Sequence, residues 1–158
     1  MIRIYRTHDV PLEFNVDNFR EMKMDHICFH RCLLNKFDMS KVSLIGCDFR
    51  SAELIGSDFF QSCFDESKLI MVKANSNFDH CTFKTAWLLH SDFSCSSFRN
   101  ADFSDSLIDD TNFSGCDLRG ANMICKGLEN CTWKGAIYDD STLWGDKFKV
   151  DEYGAVKV

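Results

Sequence analysis

From Met24 onward a large apolar residue falls on every fifth position. Met24, Phe29, Leu34, Met39, Leu44, Phe49, Leu54, Phe59, Phe64 and Leu69 form a first unbroken series. After a change of phase the beat resumes at Phe78, Phe83, Leu88, Phe93, Phe98, Phe103, Ile108, Phe113, Leu118 and Met123. It ends on Leu128, Trp133, Tyr138 and Leu143. Two positions before these centres stands a small residue, strictly so from Cys47: Ala52, Ser57, Ser62 and Ser67, then Ser76, Cys81, Ala86, Ser91, Ser96, Ala101 and onward. Asp or Asn often falls between, as at Asp92, Asp102, Asn112, Asp117 and Asn122. A period of five matches neither the 3.6 of an α-helix nor the 2.0 of an isolated strand, so the chain is a tandem repeat. Before Cys47 the small slot holds Ile27, Cys32, Phe37 and Val42, facing slimmer centres such as Met24, Leu34, Met39 and Leu44. A fixed interior volume requires that exchange, and it predicts a less regular start.

The beat has two ends and two faults. In residues 1–22, Ile2 and Ile4, then Val10, Leu12, Phe14 and Val16, alternate with other residues and predict short strands with one apolar face. Pro11 confines the second to an edge or an end. A stack of repeats exposes its core at an open end, so 1–22 is expected as an N-terminal cap, with the beat already entered at Phe14 and Phe19. From Leu69 to Phe78 there are nine residues where two repeats need ten, so 70–77 must cut a corner short. Lys126 occupies a small slot, where a buried charge is costly, and Gly127 beside it allows the backbone to bulge and turn the lysine out. The repeat body is therefore read as 23–143. After it the pattern is lost, and Trp144, Phe148, Tyr153, Val156 and Val158 suffice for 144–158 to fold over the end as a C-terminal cap.

The segments CDFRSAELIGSDF, SDFSCSSFRNADF and CDLRGANM resemble the tandem A(D/N)Lxx units of the pentapeptide repeat proteins, over roughly residues 24–143. The resemblance implies an all-β, right-handed quadrilateral β-helix. Four pentapeptides make the four sides of one coil, with the central and small residues inward and the other three outward. AIYDDSTLW followed by F and GA also resembles the closing segment of many bacterial members, which implies a native terminus. Twenty residues per coil and 24 centres give about six coils, and at strand spacing the body is roughly 29 Å long. Residues twenty apart then stack. Phe78, Phe98, Leu118 and Tyr138 form one column, Phe83, Phe103, Met123 and Leu143 a second, and Phe93, Phe113 and Trp133 a third; Phe49 and Phe59 join this structural core.

Composition changes the picture in three ways. Fifteen Phe against three Trp and three Tyr indicate a core of flat plates with no polar handle to satisfy. The net charge of −6 is uneven: residues 1–75 carry 10 basic and 11 acidic side chains, residues 76–158 carry 8 and 13. That surface repels nucleic acid and suits a basic partner, although solubility alone accounts for it. Nine Cys, several in the small slot, read as free thiols packed as small hydrophobes in a reducing compartment. With no apolar leader in MIRIYRTHDV and no run long enough to span a membrane, the expectation is a cytoplasmic protein, monomeric or homodimeric, with no membrane role and no direct nucleic-acid binding.

Candidate chemistry is sparse. HICFHRC offers His26, Cys28, His30 and Cys32 as metal donors, but the repeat sends Cys32 inward while Cys28 and His30 flank an inward Phe29 and point out, so no metal site is expected. No GxSxG, HExxH, glycine-rich phosphate loop or CxxC occurs, a filled core leaves no substrate pocket, and neither catalysis nor a cofactor is expected. The informative surface is the side of Leu88, Ile108 and Leu128. Its outward neighbours are Trp87, Leu89 and Leu107 with Asp105, Asp109, Asp110 and Glu129, an aromatic anchor with an acidic rim that fits a protein partner. The resemblance adds a named alternative, because the family's quinolone-resistance members bind DNA gyrase and topoisomerase as acidic mimics of duplex DNA. This chain is shorter than they are, lacks projecting loops and an obvious C-terminal dimerisation coil, and is broken by a deletion. A purely structural rod is the third reading.

Overall fold

Each pentapeptide is a short extended step followed by a tight turn. The turn is closed by a hydrogen bond from the amide three residues after the centre to the centre's own carbonyl, as from Ala52 to Phe49 (3.0 Å) and Ala101 to Phe98 (3.1 Å). Its third residue lies at positive φ, 57° at Ser51 and 55° at Asn100, which makes it a type II turn. The structure, a computed structural model, describes residues 1–145 and 147–158.

Successive circuits pair in parallel. Asp38 bridges Asp58 and Asp48 bridges Lys68, a register of twenty residues. Beyond the deletion Asp58 bridges Asn77 and Lys73 bridges Asp92, a register of nineteen, and twenty then returns with Ser97 against Asn77. The missing residue lies between Ala74 and Phe78. Val72 fills the small slot of this shortened circuit and Ala74 the centre, both buried. A second fault repairs itself within one circuit. Lys126 pairs with Leu107 one residue early, a 3-10 turn over Leu128–Asn130 adds the residue back, and Thr132 again meets Asn112. Lys126 is accordingly exposed, and Cys125 takes its inward place half-buried.

The interior is a set of aromatic columns. Phe59, Phe78 and Phe98 stack at 5.2 and 5.0 Å, Phe64, Phe83 and Phe103 at 5.0 and 4.8 Å, and Phe93, Phe113 and Trp133 at 6.0 and 4.8 Å. Neighbouring columns meet edge to face, as Phe83 and Phe98 do at 64°. Phe49, Phe59, Phe78, Phe83, Phe93, Phe98, Phe103, Phe113, Leu118 and Trp133 have no solvent exposure. One expected centre is wrong. Leu143 is 51 % exposed, because the chain spends an extra residue after Tyr138 and pairs Trp144, not Leu143, with Met123.

Two polar devices hold the coils in register. Inward hydroxyls stitch each coil to the one before: Ser62 Oγ donates to Met39 O (2.7 Å) and accepts from Val42 N (2.9 Å), and Ser67 Oγ treats Leu44 O and Cys47 N alike (2.7 and 3.0 Å). Cys47, Cys81 and Cys116 make the same donation with sulfur, at 2.9–3.1 Å. Outward Asp and Asn close the remaining donors, since a free amide at a corner costs stability. Asp58, Asn77, Asp102 and Asn112 each accept from the amide two residues on, at 2.9–3.0 Å. Where that position is not Asp or Asn, the previous coil supplies the acceptor: Asp25 caps Ile45, Asn35 caps Ile55, Asp65 caps Lys84 and Asp79 caps Arg99.

The ends are covered differently. Strands β1 (Ile2–Arg6) and β2 (Asp9–Phe14) form an antiparallel hairpin, and β1 also pairs antiparallel with β3 (Cys32–Leu33). Ile4 is buried, the Arg6 guanidinium donates to Cys28 O (2.6 Å), and Phe19 is already an inward centre. At the other end Trp144 and Phe148 lean on Trp133 at 5.5 and 5.9 Å. A last strand over Val156–Lys157 then pairs in parallel with Ile137–Tyr138. Tyr153, Val156 and Val158 stay exposed.

Candidate protein-binding face

One side of the solenoid departs from the turn-and-cap pattern. Here the ladder widens into a three-stranded parallel sheet of β4 (Lys68–Ile70), β5 (Trp87–Leu89) and β6 (Leu107–Asp109). The residues before the inward Leu69, Leu88 and Ile108 are Lys68, Trp87 and Leu107, none of which can cap a turn as Asp or Asn does. The backbone pairs along the ladder instead, and inward hydroxyls join the coils as on the other sides: Ser91 Oγ accepts from Val72 N and lies 2.9 Å from Leu69 O, and Thr111 Oγ1 donates to Leu88 O at 2.8 Å. The backbone thus stays extended and the side becomes flat.

Three rows of side chains run along it. The first is Lys68, Trp87, Leu107 and Lys126, the second Ile70, Leu89 and Asp109, and the corner row Met71, His90 and Asp110. Trp87 is 48 % exposed, Leu107 38 % and Met71 60 %, with Ile70 and Leu89 half-buried beside them. Lys68 Nζ sits 5.8 Å from the Trp87 ring centroid, a cation–π contact. His90 Nδ1 is 2.9 Å from Asp110 Oδ2, and Asn130 Nδ2 donates to Asp109 Oδ1 at 2.6 Å. A shallow groove of about 380 Å³ follows the corner row between Met71, His90 and Asp110 on one side and Lys73, Asp92 and Asn112 on the other.

Of the residues read from the sequence, the sheet brings Trp87, Leu89, Leu107 and Asp109 onto one face. Asp105 and Asp110 occupy its two corners, both exposed. Glu129 lies in the 3-10 turn beyond Gly127, outside the ladder. Sequence reading missed Lys68, Ile70, Met71 and Lys126. Counting back nineteen instead of twenty from Trp87 and Leu89, as the deletion demands, finds the first two.

The carboxylates of this face serve no backbone amide. Asp92, Asp102, Asp117 and Asp139 cap backbone amides, whereas Asp105, Asp109, Asp110 and Glu129 cap none. For Asp117 partial burial opposes ionisation, but hydrogen bonds from Arg119 and Arg99 outweigh it and hold its carboxyl at about 2. Burial pushes the inward thiols up, Cys116 and Cys125 to about 12, so they stay protonated and unreactive. In HICFHRC, Cys28 points to solvent and Cys32 inward, and among the described residues no cluster of His, Cys, Asp or Glu could hold a metal. No helix among them is long and apolar enough to cross a membrane.

A model of the pentapeptide repeats matches eight copies, over residues 27–65, 76–115 and 96–125, more than half of the chain. The chain belongs to the pentapeptide repeat family. Members of this family are typically non-catalytic modules, and no catalytic family is indicated. No curated protein matches the chain. Among solved structures, a pentapeptide repeat protein from the Arabidopsis thaliana thylakoid lumen is similar at 17 % identity and a TM-score of 0.50, over 64 % of this chain and 68 % of its own. A pentapeptide repeat protein from Nostoc PCC 7120 matches at 18 % identity and 0.33, over 61 % and 84 %. QnrB1, a plasmid-mediated fluoroquinolone resistance protein, matches at 16 % and 0.39, over 89 % and 84 %. At 17 % identity the likeness to the thylakoid-lumen protein is one of fold alone.

Proposed function

We propose that this pentapeptide repeat protein is a non-enzymatic interaction module. It is a right-handed, four-sided rod of about six coils and roughly 29 Å that presents its flat side to a protein partner. The observation that carries this reading is the exposed row of Trp87 and Leu107, with Leu89 beside it, next to carboxylates that serve no backbone amide. A large aromatic side chain held out on a rigid sheet loses little entropy on docking, which is the make-up of a binding anchor. Nine cysteines free of disulfides support a reducing, cytoplasmic setting.

The test is capture from a native lysate by the wild type and by a Trp87→Ala/Asp109→Lys variant. The reading expects a partner held by the first and lost by the second; identical partners for both would sink the face. A gyrase-binding DNA mimic has less support. Mimicry needs a continuous row of free carboxylates, and here the aspartates that cap amides, such as Asp58, Asp79, Asp102 and Asp117, interrupt any such row, with Asp117 further neutralised by Arg99 and Arg119. A supercoiling assay with and without a fluoroquinolone distinguishes it, since a mimic inhibits or protects gyrase at micromolar concentration and this protein is expected to do neither.

A further inference from the structure

The flat side is polarised across its width as well as exposed. Its second and corner rows begin with Ile70, Met71 and Leu89 and end in Asp109 and Asp110, and the only basic group in these rows is the His90 imidazole, engaged by Asp110. Lys68 and Lys126 stand at the two ends of the other row, with Trp87 and Leu107 between them. The groove along the corner row is open at Asp110, and its single lysine, Lys73, lies on the far wall beside Asp92. The Lys68 ammonium already lies over the Trp87 ring, so the indole meets a partner as an apolar anchor and the partner's cations are left to the carboxylates.

We infer that the occupant of this face is a basic amphipathic segment of a partner protein. Its apolar side chains lie on Leu89, Ile70 and the Trp87 ring, and its Lys or Arg side chains reach Asp109 and Asp110. This rests on the reading of the side as a protein-binding face and adds the chemistry of what binds. Charge complementarity selects it. An acidic segment would bring like charge against Asp109 and Asp110 with no lysine in their rows to answer it, and a purely polar one would leave Trp87 and Leu107 wet. The carboxylates are free for the task, because Asn130 and His90 orient them and, among the described residues, no lysine or arginine pairs with either.

The experiment measures binding of three short fluorescein-labelled synthetic peptides by anisotropy, at about 0.15 M salt, to the full chain. One alternates Leu with Lys, one Leu with Glu, and one Gly with Lys. The Leu/Lys peptide is expected to bind saturably and the other two not. Asp109→Asn/Asp110→Asn and Trp87→Ala are each expected to weaken it about tenfold, while Asp58→Asn, beside Phe59 on a different side, keeps its turn capped and leaves binding unchanged. Equal binding of the Leu/Glu or the Gly/Lys peptide, or saturation by none, overturns the inference. Weakening by Trp87→Ala but not by the Asp pair leaves the face standing and removes the basic partner. No effect of either variant removes both. All these substitutions are at outward positions, and unchanged thermal melts confirm that the variants are folded.

Discussion

Phe98→Ala tests the columns where they are densest. The ring stacks on Phe78 at 5.0 Å and meets Phe93, Phe103, Phe83 and Phe113 at 5.6, 5.3, 5.9 and 5.9 Å, with no exposure. Burying a ring of about 200 Å² contributes about 5 kcal/mol at 25 cal/mol per Å², and Phe→Ala losses in cores run about 3–5 kcal/mol. The coils above and below are fixed by backbone ladders, so the walls have little freedom to close the hole. The loss is expected at the upper end, about 4–5 kcal/mol. The control is Phe60→Ala. Phe60 is one residue past an inward centre, half-buried on the outer surface with one edge contact to His80 at 5.5 Å, and should cost about 1 kcal/mol or less. Urea unfolding followed by circular dichroism measures both, with equal slopes required so that cooperativity has not changed. A Phe98→Ala loss below about 2 kcal/mol, or one no larger than that of Phe60→Ala, would refute a core made of stacked rings.

Two further predictions concern the polar devices. Ser67→Ala leaves Leu44 O and Cys47 N only their long 3.3 Å turn bond to each other and should cost about 1–2 kcal/mol in the same unfolding assay; Ser67→Cys, which keeps a donor as Cys47 does, should cost less. Asp117 has a folded-state value near 2 against an ordinary 3.8, so it stabilises the fold above pH 3.8 and that contribution fades as pH falls from 3.8 toward 2. Asp117→Asn should therefore flatten the acid limb of the melting temperature against pH, and an unchanged limb would show that the arginine pairs contribute nothing.

The repeat fold was legible because the five-residue beat reports burial directly: Phe29, Phe59 and Phe113 could be placed inward from spacing alone. What escaped was everything that depends on counting across a fault. The nine residues after Leu69 signal a deletion but do not say which corner lost a residue, and the answer, between Ala74 and Phe78, needs the partners in the next coil. Leu143 fits the beat perfectly yet faces out, since Thr142 with its hydroxyl on Leu118 O outcompeted it for the register. At the candidate face Trp87, Leu107 and Asp109 were visible as residues foreign to the repeat. Lys68 and Ile70 were hidden by the nineteen-residue register, and Glu129 was misplaced because the 3-10 turn carries it off the ladder.

The outward Asp and Asn caps have a consequence for how such a protein can change. An amide accepts the corner hydrogen bond as well as a carboxylate does: Asn77 and Asn112 serve their turns just as Asp58 and Asp92 serve theirs. Where no arginine pairs with the carboxylate, as Arg99 and Arg119 do with Asp117, Asp and Asn are thus interchangeable to the fold, and the isoelectric point, near 5.3, can drift in either direction without disturbing those coils. Overall acidity is a soft variable of this scaffold, whereas charge that caps nothing is constrained by its side-chain neighbours, as Asp109 is by Asn130, and by what it meets outside the molecule.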